Sequence, residues 1–312
     1  MLKPDLWEAH LNLVNMYIQK NDFPSAIEEC REVLKVKPNH KDVHLILGNL
    51  LRVQNDLDGA EAELKKAIEC GASPAMAHNA LGLTLLQKGK HDEAHEHIKQ
   101  AIEKQKNFPD AYLTMGVVRF KMGDKEGSIK AFDMAIKQKG KYPEARNAKG
   151  DILAADNKWK EALGEYEKAA KEEPKFAQAH ASMGNAYFQL GDIDKARDAY
   201  ARAKQLNPTD KNILYGLALM YEKGGKISDA IAEFDAALMV ETDATMKAQI
   251  QSHVNQLRMV GGQPFNIGGL GAGGALGGGG LGPGLYNQNA FGGIDFSTMI
   301  KIKAPKGQAK SK

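Results

Sequence analysis

A helix-turn-helix pattern that recurs every 34 residues constrains this 312-residue chain more than any other feature. Residues 177–208 contain one copy. Apolar and small side chains recur there at helical spacing, Gly191-Asp192 interrupts them, and a second amphipathic run ends at Pro208. The pattern occurs seven times between residues 7 and 244. A fixed period of this length predicts stacked helical hairpins, each of which buries its apolar face on the next.

Equivalent positions form columns that predict how the first helix of each hairpin (helix A) packs on the second (helix B). The crossing point of helix A is occupied by Val14, Gly48, Gly82, Gly116, Gly150, Gly184 and Ala218. Helix B has two small columns, which are Ala26, Ala60, Ala94, Ser128, Ala162, Ala196 and Ala230, and Val33, Ala67, Ala101, Ala135, Ala169, Ala203 and Ala237. A larger apolar column lies between them, formed by Cys30, Leu64, Ile98, Phe132, Tyr166, Tyr200 and Phe234. Because glycine costs about 1 kcal/mol relative to alanine inside a helix, its repeated use indicates closely packed helices.

The turn between the two helices also recurs. Its first residue is always asparagine or glycine, at Asn21, Asn55, Gly89, Gly123, Asn157, Gly191 and Gly225. These two residue types tolerate the left-handed backbone conformation that ends many helices. We therefore expect helix A to end at this position in every hairpin.

In its columns and turns, the segment from residue 7 to residue 244 resembles the tetratricopeptide repeat family. The seven units are 7–40, 41–74, 75–108, 109–142, 143–176, 177–210 and 211–244. The resemblance implies an all-α fold, a right-handed α-solenoid of helix-turn-helix repeats. Residues 1–6 are similar to the end of a preceding repeat, so either the array begins here or an upstream segment is missing.

A different pattern follows the seventh unit. Residues 245–260 place Met246, Ile250, Val254 and Leu257 on one stripe, which predicts a capping helix over the last repeat. Residues 261–294 form a Gly-rich linker, and residues 295–312 form a basic tail. We expect this Gly-rich tail to be mostly irregular, because its glycines oppose the packing of a core.

The family resemblance implies that helix A lines a concave groove. The side chains carried over to that groove are Leu11, Asn15, Ile18, Leu45, Asn49, Arg52, Met76, Asn79, Leu83, Leu86, Leu113, Val117, Phe120, Asn147, Asp151, Asn185, Phe188, Tyr215, Leu219 and Glu222. The central members are apolar, which favours a groove that holds a partner segment. The alternative is that adjacent helices cover these side chains.

Within the family, one subclass binds the C-terminal carboxylates of chaperones through lysine, arginine and asparagine. Here the corresponding positions lack the positive charges: the window that starts in the fifth repeat offers Asn147, Asp151, Ser182, Asn212 and Gly216. The expected function is therefore a non-catalytic scaffold or adaptor that binds one or more proteins or peptide segments and supports assembly of a complex. A recruiting or regulatory subunit of an enzyme complex is the alternative.

Charge is unevenly distributed along the chain. The net charge is +3, but residues 261–312 contain five lysines and one aspartate, so the first 260 residues carry a net charge of −1. A near-neutral array lacks the basic stripe that nucleic-acid binding requires, so we expect no nucleic-acid partner. A helical-repeat RNA-binding protein, similar to the 35-residue pentatricopeptide class, is the less favoured alternative because the spacing here is strictly 34.

No arrangement of residues indicates catalysis, a cofactor or a metal. His91 and His95 lie one helical turn apart, but two imidazoles are too few for zinc, so we interpret them as packing residues. The column of His10, His44, His78 and His180 is also interpreted as packing between helices. Cys30 and Cys70 are interpreted as buried filler rather than a disulfide. Gly269, Gly271 and Gly274 match a dinucleotide motif without the flanking strand and helix that it needs.

The C-terminal tail is a candidate docking segment. Its apolar residues are Phe291, Ile294, Phe296, Ile300 and Ile302. The alternation of apolar and other residues over 296–303 predicts a short extended ligand that orders on a partner or on a neighbouring copy, which would give self-association. No signal peptide or membrane span is recognised in the sequence, so the expected location is cytoplasmic.

Overall fold

The computed structural model describes residues 6–260, and all regular structure in that range is α-helical. The helices are α1 (Leu6–Gln19), α2 (Phe23–Val36), α3 (Lys41–Val53), α4 (Leu57–Glu69), α5 (Pro74–Gln87), α6 (His91–Lys104), α7 (Pro109–Lys121), α8 (Lys125–Lys139), α9 (Pro143–Ala155), α10 (Trp159–Glu172), α11 (Ala177–Gln189), α12 (Ile193–Leu206), α13 (Lys211–Lys223), α14 (Ile227–Val240) and α15 (Ala244–Val260). Odd-numbered helices from α1 to α13 are helix A of the seven repeats, and the following even-numbered helices are helix B. The predicted all-α fold of paired helices is confirmed.

The helices group into two compact units, α1 to α8 and α9 to α15. Within each unit the two helices of a hairpin pack together, and helix B also packs on helix A of the next hairpin. Consecutive A helices contact each other as well: α3 with α5 and α5 with α7 in the first unit, and α9 with α11 and α11 with α13 in the second. Each unit therefore has a layer of A helices.

In the second to sixth hairpins, a glycine on helix A leaves room for a large side chain on helix B. A Cβ atom added to Gly184 would lie 2.6 Å from Cδ2 of Tyr200, far inside van der Waals contact. Gly48 faces Leu64 in the same way, and Gly82 faces Ile98, Gly116 faces Phe132 and Gly150 faces Tyr166. The first hairpin reverses the sizes, because Val14 and the small Cys30 are both fully buried there. The predicted columns are therefore confirmed as the hairpin core.

The turns follow the predicted pattern. All seven asparagine and glycine positions have a positive φ, for example 57° at Asn21 and 86° at Gly191. In four hairpins the next residue is an aspartate that caps helix B by accepting a hydrogen bond from the backbone N–H three residues later. These caps are Asp22, Asp56, Asp124 and Asp192.

The histidine column joins helix A to helix B through polar contacts. In the second hairpin, His44 Nδ1 lies 2.6 Å from Glu63 Oε2, and its Nε2 lies 2.7 Å from the carbonyl oxygen of Pro38. His10 and Glu29 form the corresponding pair in the first hairpin. The column was predicted to pack between helices, and its polar partner nineteen residues later is what the sequence interpretation missed.

The third hairpin has a second histidine, His97, where the first two hairpins have glutamate. His78 and His97 stack with their ring centroids 5.3 Å apart, and their Nδ1 atoms are 3.0 Å apart. Burial lowers the pKa of both imidazoles, and the charge of His97 further lowers the pKa of His78. The pair is therefore stable in its neutral form.

Helix α15 covers the last hairpin. Ile250, Val254 and Leu257 are buried and Met246 is half-buried. His253 packs edge-on against Phe234, with ring centroids 5.3 Å apart. The predicted apolar stripe therefore packs against the second unit as a capping helix.

Candidate partner-binding faces

The predicted groove residues all lie on A helices, and the two units are described separately. Those from Leu11 to Phe120 lie on α1, α3, α5 and α7 of the first unit. Those from Asn147 to Glu222 lie on α9, α11 and α13 of the second. Each unit thus has its own candidate face, which we call the A-helix face.

Most of the predicted apolar contact residues of the first unit are buried. Leu83 is 2% exposed and Leu113 is 1% exposed, and Leu11, Leu45 and Val117 are buried as well. These side chains therefore have little solvent exposure in the structure, and their part in a partner-binding groove stays a prediction. The apolar side chains that solvent does reach are the half-buried Ile18, Leu86 and Phe120 and the exposed Met76.

The polar residues of the first A-helix face differ in accessibility. Asn15 and Asn49 are half-buried, and Asn49 donates a hydrogen bond to the carbonyl oxygen of Leu45 in its own helix. Asn79 and Arg52 are buried. Among the described residues, Oδ1 of Asn79 has no hydrogen-bond partner. Arg52 is only 2% exposed, and its part in partner binding stays a prediction.

The second A-helix face has fewer apolar contacts. Phe188, Leu219 and Asn185 are half-buried. Tyr215 is buried, and burial together with the nearby charge of Glu241 raises its pKa to about 12. Glu222 pairs with His253 of α15 at 2.8 Å, and this hydrogen bond raises the pKa of His253. Glu222 therefore holds the capping helix.

Helix α9 carries a carboxylate in an unusual setting. Asp151 accepts a hydrogen bond from the hydroxyl of Tyr166 at 2.8 Å and one from Nδ2 of Asn147 at 3.3 Å. Solvent reaches part of the Asp151 residue, but protein atoms surround its carboxyl group so closely that burial raises its pKa to about 7. The two hydrogen bonds oppose that shift only in part. Asp151 is therefore a poorly solvated acid on a candidate binding face.

Two neighbouring acceptors extend this group. Asn147 is only 4% exposed, and within the described chain its Oδ1 accepts no hydrogen bond. Glu144 is half-buried, and its Oε2 is buried and unpartnered in the same sense. Residues 144, 147 and 151 are three and four apart, so they lie on one face of α9. We call Glu144, Asn147 and Asp151 the α9 stripe.

Sequence reasoning found two members of the α9 stripe and missed the third. Glu144 lies in the same repeat position as Met76, which was identified, and two 34-residue periods separate them. The repeat register alone could therefore have found it. The stripe offers hydrogen-bond acceptors where the chaperone-binding subclass has cations, so its charge is opposite to that of a carboxylate-binding groove.

The histidines and cysteines have structural positions. His91 and His95 are half-buried on α6, and His180 lies 3.1 Å from the carbonyl oxygen of Pro174. Within residues 6–260, no group of three or more potential ligands is placed to hold a metal ion. Cys30 is buried and Cys70 half-buried, both as free thiols. Burial, followed by the charge of Glu29, raises the pKa of Cys30 to about 12.

The tail predictions lie outside the described residues. This applies to the docking residues Phe291, Ile294, Phe296, Ile300 and Ile302 and to the glycines of the dinucleotide-like motif. In the described range, no helix combines the length and the apolar character that crossing a bilayer needs.

Solved structures with a similar fold are repeat proteins. The yeast Tom70 structure superposes with a TM-score of 0.66 at 18% identity, over 83% of this chain and 55% of that chain. A tetratricopeptide repeat protein from Parabacteroides merdae gives a TM-score of 0.62 at 14% identity, over 81% of this chain and 98% of that chain. At these identities the similarity shows the fold alone.

Sequence comparison gives the family. The TPR repeat-containing protein MJ1428 of Methanocaldococcus jannaschii is 31% identical over 75 residues, which are 24% of this chain and 13% of that relative. The chain thus spans about an eighth of the length of this relative. One tetratricopeptide repeat family model matches residues 17–83 and 85–152, and a second matches residues 147–211 and 181–247. Together with the seven helical hairpins, these matches show that the chain belongs to the tetratricopeptide repeat family.

Proposed function

We propose that this chain is a non-catalytic scaffold that holds segments of partner proteins against its A-helix faces. The observation that carries this proposal is the contrast between the two layers of helices. The B helices carry rows of ion pairs one turn apart, such as Lys65 with Glu61 and Lys130 with Glu126. Such pairs are typical of a solvated helix surface.

The A-helix faces have a different character. In the first unit they expose Met76 beside half-buried apolar side chains, together with the amides of Asn15 and Asn49. Apolar surface provides binding free energy, and amides can bond the backbone of a peptide without demanding a particular sequence. This combination suits an extended or helical protein segment.

A pair of matched variants tests the proposal in the first unit. Met76 on α5 is 42% exposed and Met134 on α8 is 38% exposed, so Met76→Glu and Met134→Glu introduce the same charge at similar exposure on the two layers. Proteins recovered with the tagged wild-type chain are identified by mass spectrometry. We expect Met76→Glu to reduce recovery of specific partners at least about tenfold, whereas Met134→Glu leaves it unchanged, because only the first charge lies in the contact. Equal losses, or no loss with either variant, would contradict the proposal.

The proposal extends to assembly through the C-terminal tail. Residues 291–303 combine apolar side chains with Lys301 and Lys303 behind a Gly-rich linker, so a docked tail would hold its partner at high effective concentration. Deleting residues 261–312 should therefore weaken complex formation or self-association. Light scattering and partner recovery measure this effect, and unchanged assembly would remove the tail from the proposal.

A further inference from the structure

The third hairpin brings two imidazole nitrogens face to face. Nδ1 of His78 on α5 lies 3.0 Å from Nδ1 of His97 on α6, and the two ring planes are 23° apart. The ring centroids are 5.3 Å apart, which is 2.3 Å more than the nitrogens, and this excess is about the sum of the two ring radii. The centroids and the two nitrogens therefore lie nearly on one line, so each Nδ1 points at the other ring.

This pair belongs to one hairpin alone. The first two hairpins have histidine with glutamate nineteen residues later, and the fifth has arginine with glutamate. The equivalent positions of the other six units never hold two histidines. Only the third hairpin thus offers two nitrogen ligands that converge from two helices.

The two facing nitrogens can present lone pairs to a cation. At 3.0 Å, one Nδ1 donates a hydrogen bond and the other accepts it, so the pair in this contact is not doubly protonated. Neutral imidazole is the form that binds metal ions. When the donor ring moves its proton from Nδ1 to Nε2, both Nδ1 atoms have a lone pair on the line between the rings. No proton leaves the pair, because each ring keeps one N–H.

The two histidines have no further ligand to complete a larger set. In the part of the chain that the structure describes, no group of three histidines, cysteines or carboxylates is placed to hold a metal ion. The charges of Glu93 and Glu96 act on His97 from the same helix. Their carboxylates pair with Lys90 and Lys99 instead. The site therefore consists of two nitrogens.

The number of ligands decides which cation fits. Zinc takes four ligands in a tetrahedron, so it would depend on water for two of them and bind weakly. A monovalent ion with a filled d shell, such as Cu(I), takes two ligands on opposite sides in a straight line. Imidazole is suited to copper, and the arrangement of the two Nδ1 atoms has this linear geometry.

The structure needs little change to hold such an ion. A metal–imidazole bond is about 2.0 Å long, so two collinear bonds place the nitrogens about 4 Å apart. Because the nitrogens are 3.0 Å apart, each ring must withdraw by about 0.5 Å. His78 and His97 are both half-buried, so solvent reaches part of each residue.

We propose that His78 and His97 form a two-coordinate binding site for a monovalent ion with a filled d shell, Cu(I), between α5 and α6. The inference goes beyond the scaffold function and requires no partner protein. The bound ion replaces one hydrogen bond by two coordinate bonds, so it ties helix A to helix B and stabilises the third hairpin.

Silver ions added to the full-length chain test the proposal, because Ag(I) has the charge and the linear coordination of Cu(I) and is stable in air. The chain carries Cys70→Ser, since this half-buried thiol would compete for silver, whereas Cys30 is fully buried. Nitrogen NMR signals of the imidazoles are recorded at about pH 7.5, where neutral histidine prevails. We expect one equivalent of Ag(I) to shift the Nδ1 signals of His78 and His97 together and to place both ring protons on Nε2. Unchanged Nδ1 signals would overturn the proposal.

A pair of matched variants tests the site by calorimetry. His97→Glu recreates the histidine–glutamate pair of the second hairpin, so the hairpin stays folded, but a carboxylate is a poor ligand for a soft ion. We expect the affinity for Ag(I) to fall at least about 100-fold, since loss of an outer-shell partner alone costs about 10–100-fold. His95→Glu makes the same change at another half-buried position of α6 and should retain the affinity.

Three further results would overturn the proposal. One is an affinity for Ag(I) that His97→Glu leaves unchanged or that His95→Glu reduces equally, which would show unspecific binding. Another is binding of zinc as tight as that of silver, because two collinear ligands disfavour zinc. The third is a failure of Cu(I), titrated without oxygen, to shift the same Nδ1 signals. The Met76→Glu experiment involves no metal, so failure here would leave the scaffold function standing.

Discussion

At the scale of single residues, the packing of a hairpin core depends on which of its two helices has the larger side chain at the crossing point. Gly184 sits so close to Tyr200 that an added methyl group has nowhere to go. Gly164 on α10 is a glycine in the middle of a helix with no atom near its missing side chain. The same change, glycine to alanine, therefore has opposite expected effects at these two positions.

We expect Gly184→Ala to lower the free energy of unfolding by about 1–3 kcal/mol, because Tyr200 must shift in a packed core. Gly164→Ala should raise it by about 0.5–1 kcal/mol, since alanine favours the helix and has free space. Urea titrations followed by circular dichroism measure both. A stabilising Gly184→Ala would show that the contact with Tyr200 does not limit packing.

The residue scale is also where sequence reasoning reached its limit. The glycine column and its large partners could be predicted because both recur with the period, and packing demands them in every hairpin. The low exposure of Leu83 and Leu113 could not be predicted, since it depends on what packs over each position in three dimensions. The hydrogen bond between Tyr166 and Asp151 could not be predicted either. Tyr166 lies on another helix, and none of the predicted repeat patterns pairs polar residues at this sequence spacing.

At the scale of helices, a side-chain pair nineteen residues apart ties helix A to helix B in four of the seven described hairpins. The pair is histidine with glutamate in the first two hairpins, and Arg146 with Glu165 in the fifth. In the third hairpin, His78 faces His97. Protonation therefore has a different consequence there, because two imidazolium groups repel each other.

We expect the third hairpin to lose stability in mild acid. Both histidines have a folded-state pKa below their ordinary value of 6.5, so the unfolded chain binds protons more readily than the folded chain. The contribution of the neutral pair to folding stability is complete above pH 6.5, and it is lost as the pH falls below that value. His97→Glu recreates the pair of the second hairpin and should flatten the decline.

Thermal melts between about pH 8 and pH 5 measure this effect. His95→Glu makes the same change of composition on α6 and is the matched control. It should retain the acid sensitivity of the wild-type chain. If both variants decline with pH as the wild type does, the histidine pair is not the source of the sensitivity.

At the scale of the molecule, each unit is a stack in which a hairpin contacts only its neighbours. Stability in such stacks is approximately a sum of hairpin terms and interface terms. Helix α15 supplies the last interface in the second unit by covering α14 with Ile250, Val254 and Leu257. A destabilising substitution in α15 should therefore lower the local stability of the adjacent helices most. The effect should decrease with distance along the stack.

We expect Val254→Asp to lower the free energy of local unfolding around α15 by at least about 2 kcal/mol, because it buries a charge without a partner. Hydrogen–deuterium exchange should accelerate in α13, α14 and α15 and change little in α9 and α10. Asn255→Asp adds the same charge at an exposed site of the same helix and should leave exchange unchanged. Uniform acceleration throughout the second unit would mean that it unfolds as one cooperative block.

The reversal of sizes between Val14 and Cys30 limits how such a chain can be recombined. If helix A of any of the second to sixth repeats replaced α1, its glycine would stand opposite the small thiol of Cys30 and leave a void. If α1 replaced a later helix A, its valine would collide with a leucine or an aromatic ring. Exchange or duplication of coding segments therefore preserves a foldable product only when its boundaries fall between hairpins, so the inherited unit is the pair of helices and never one alone.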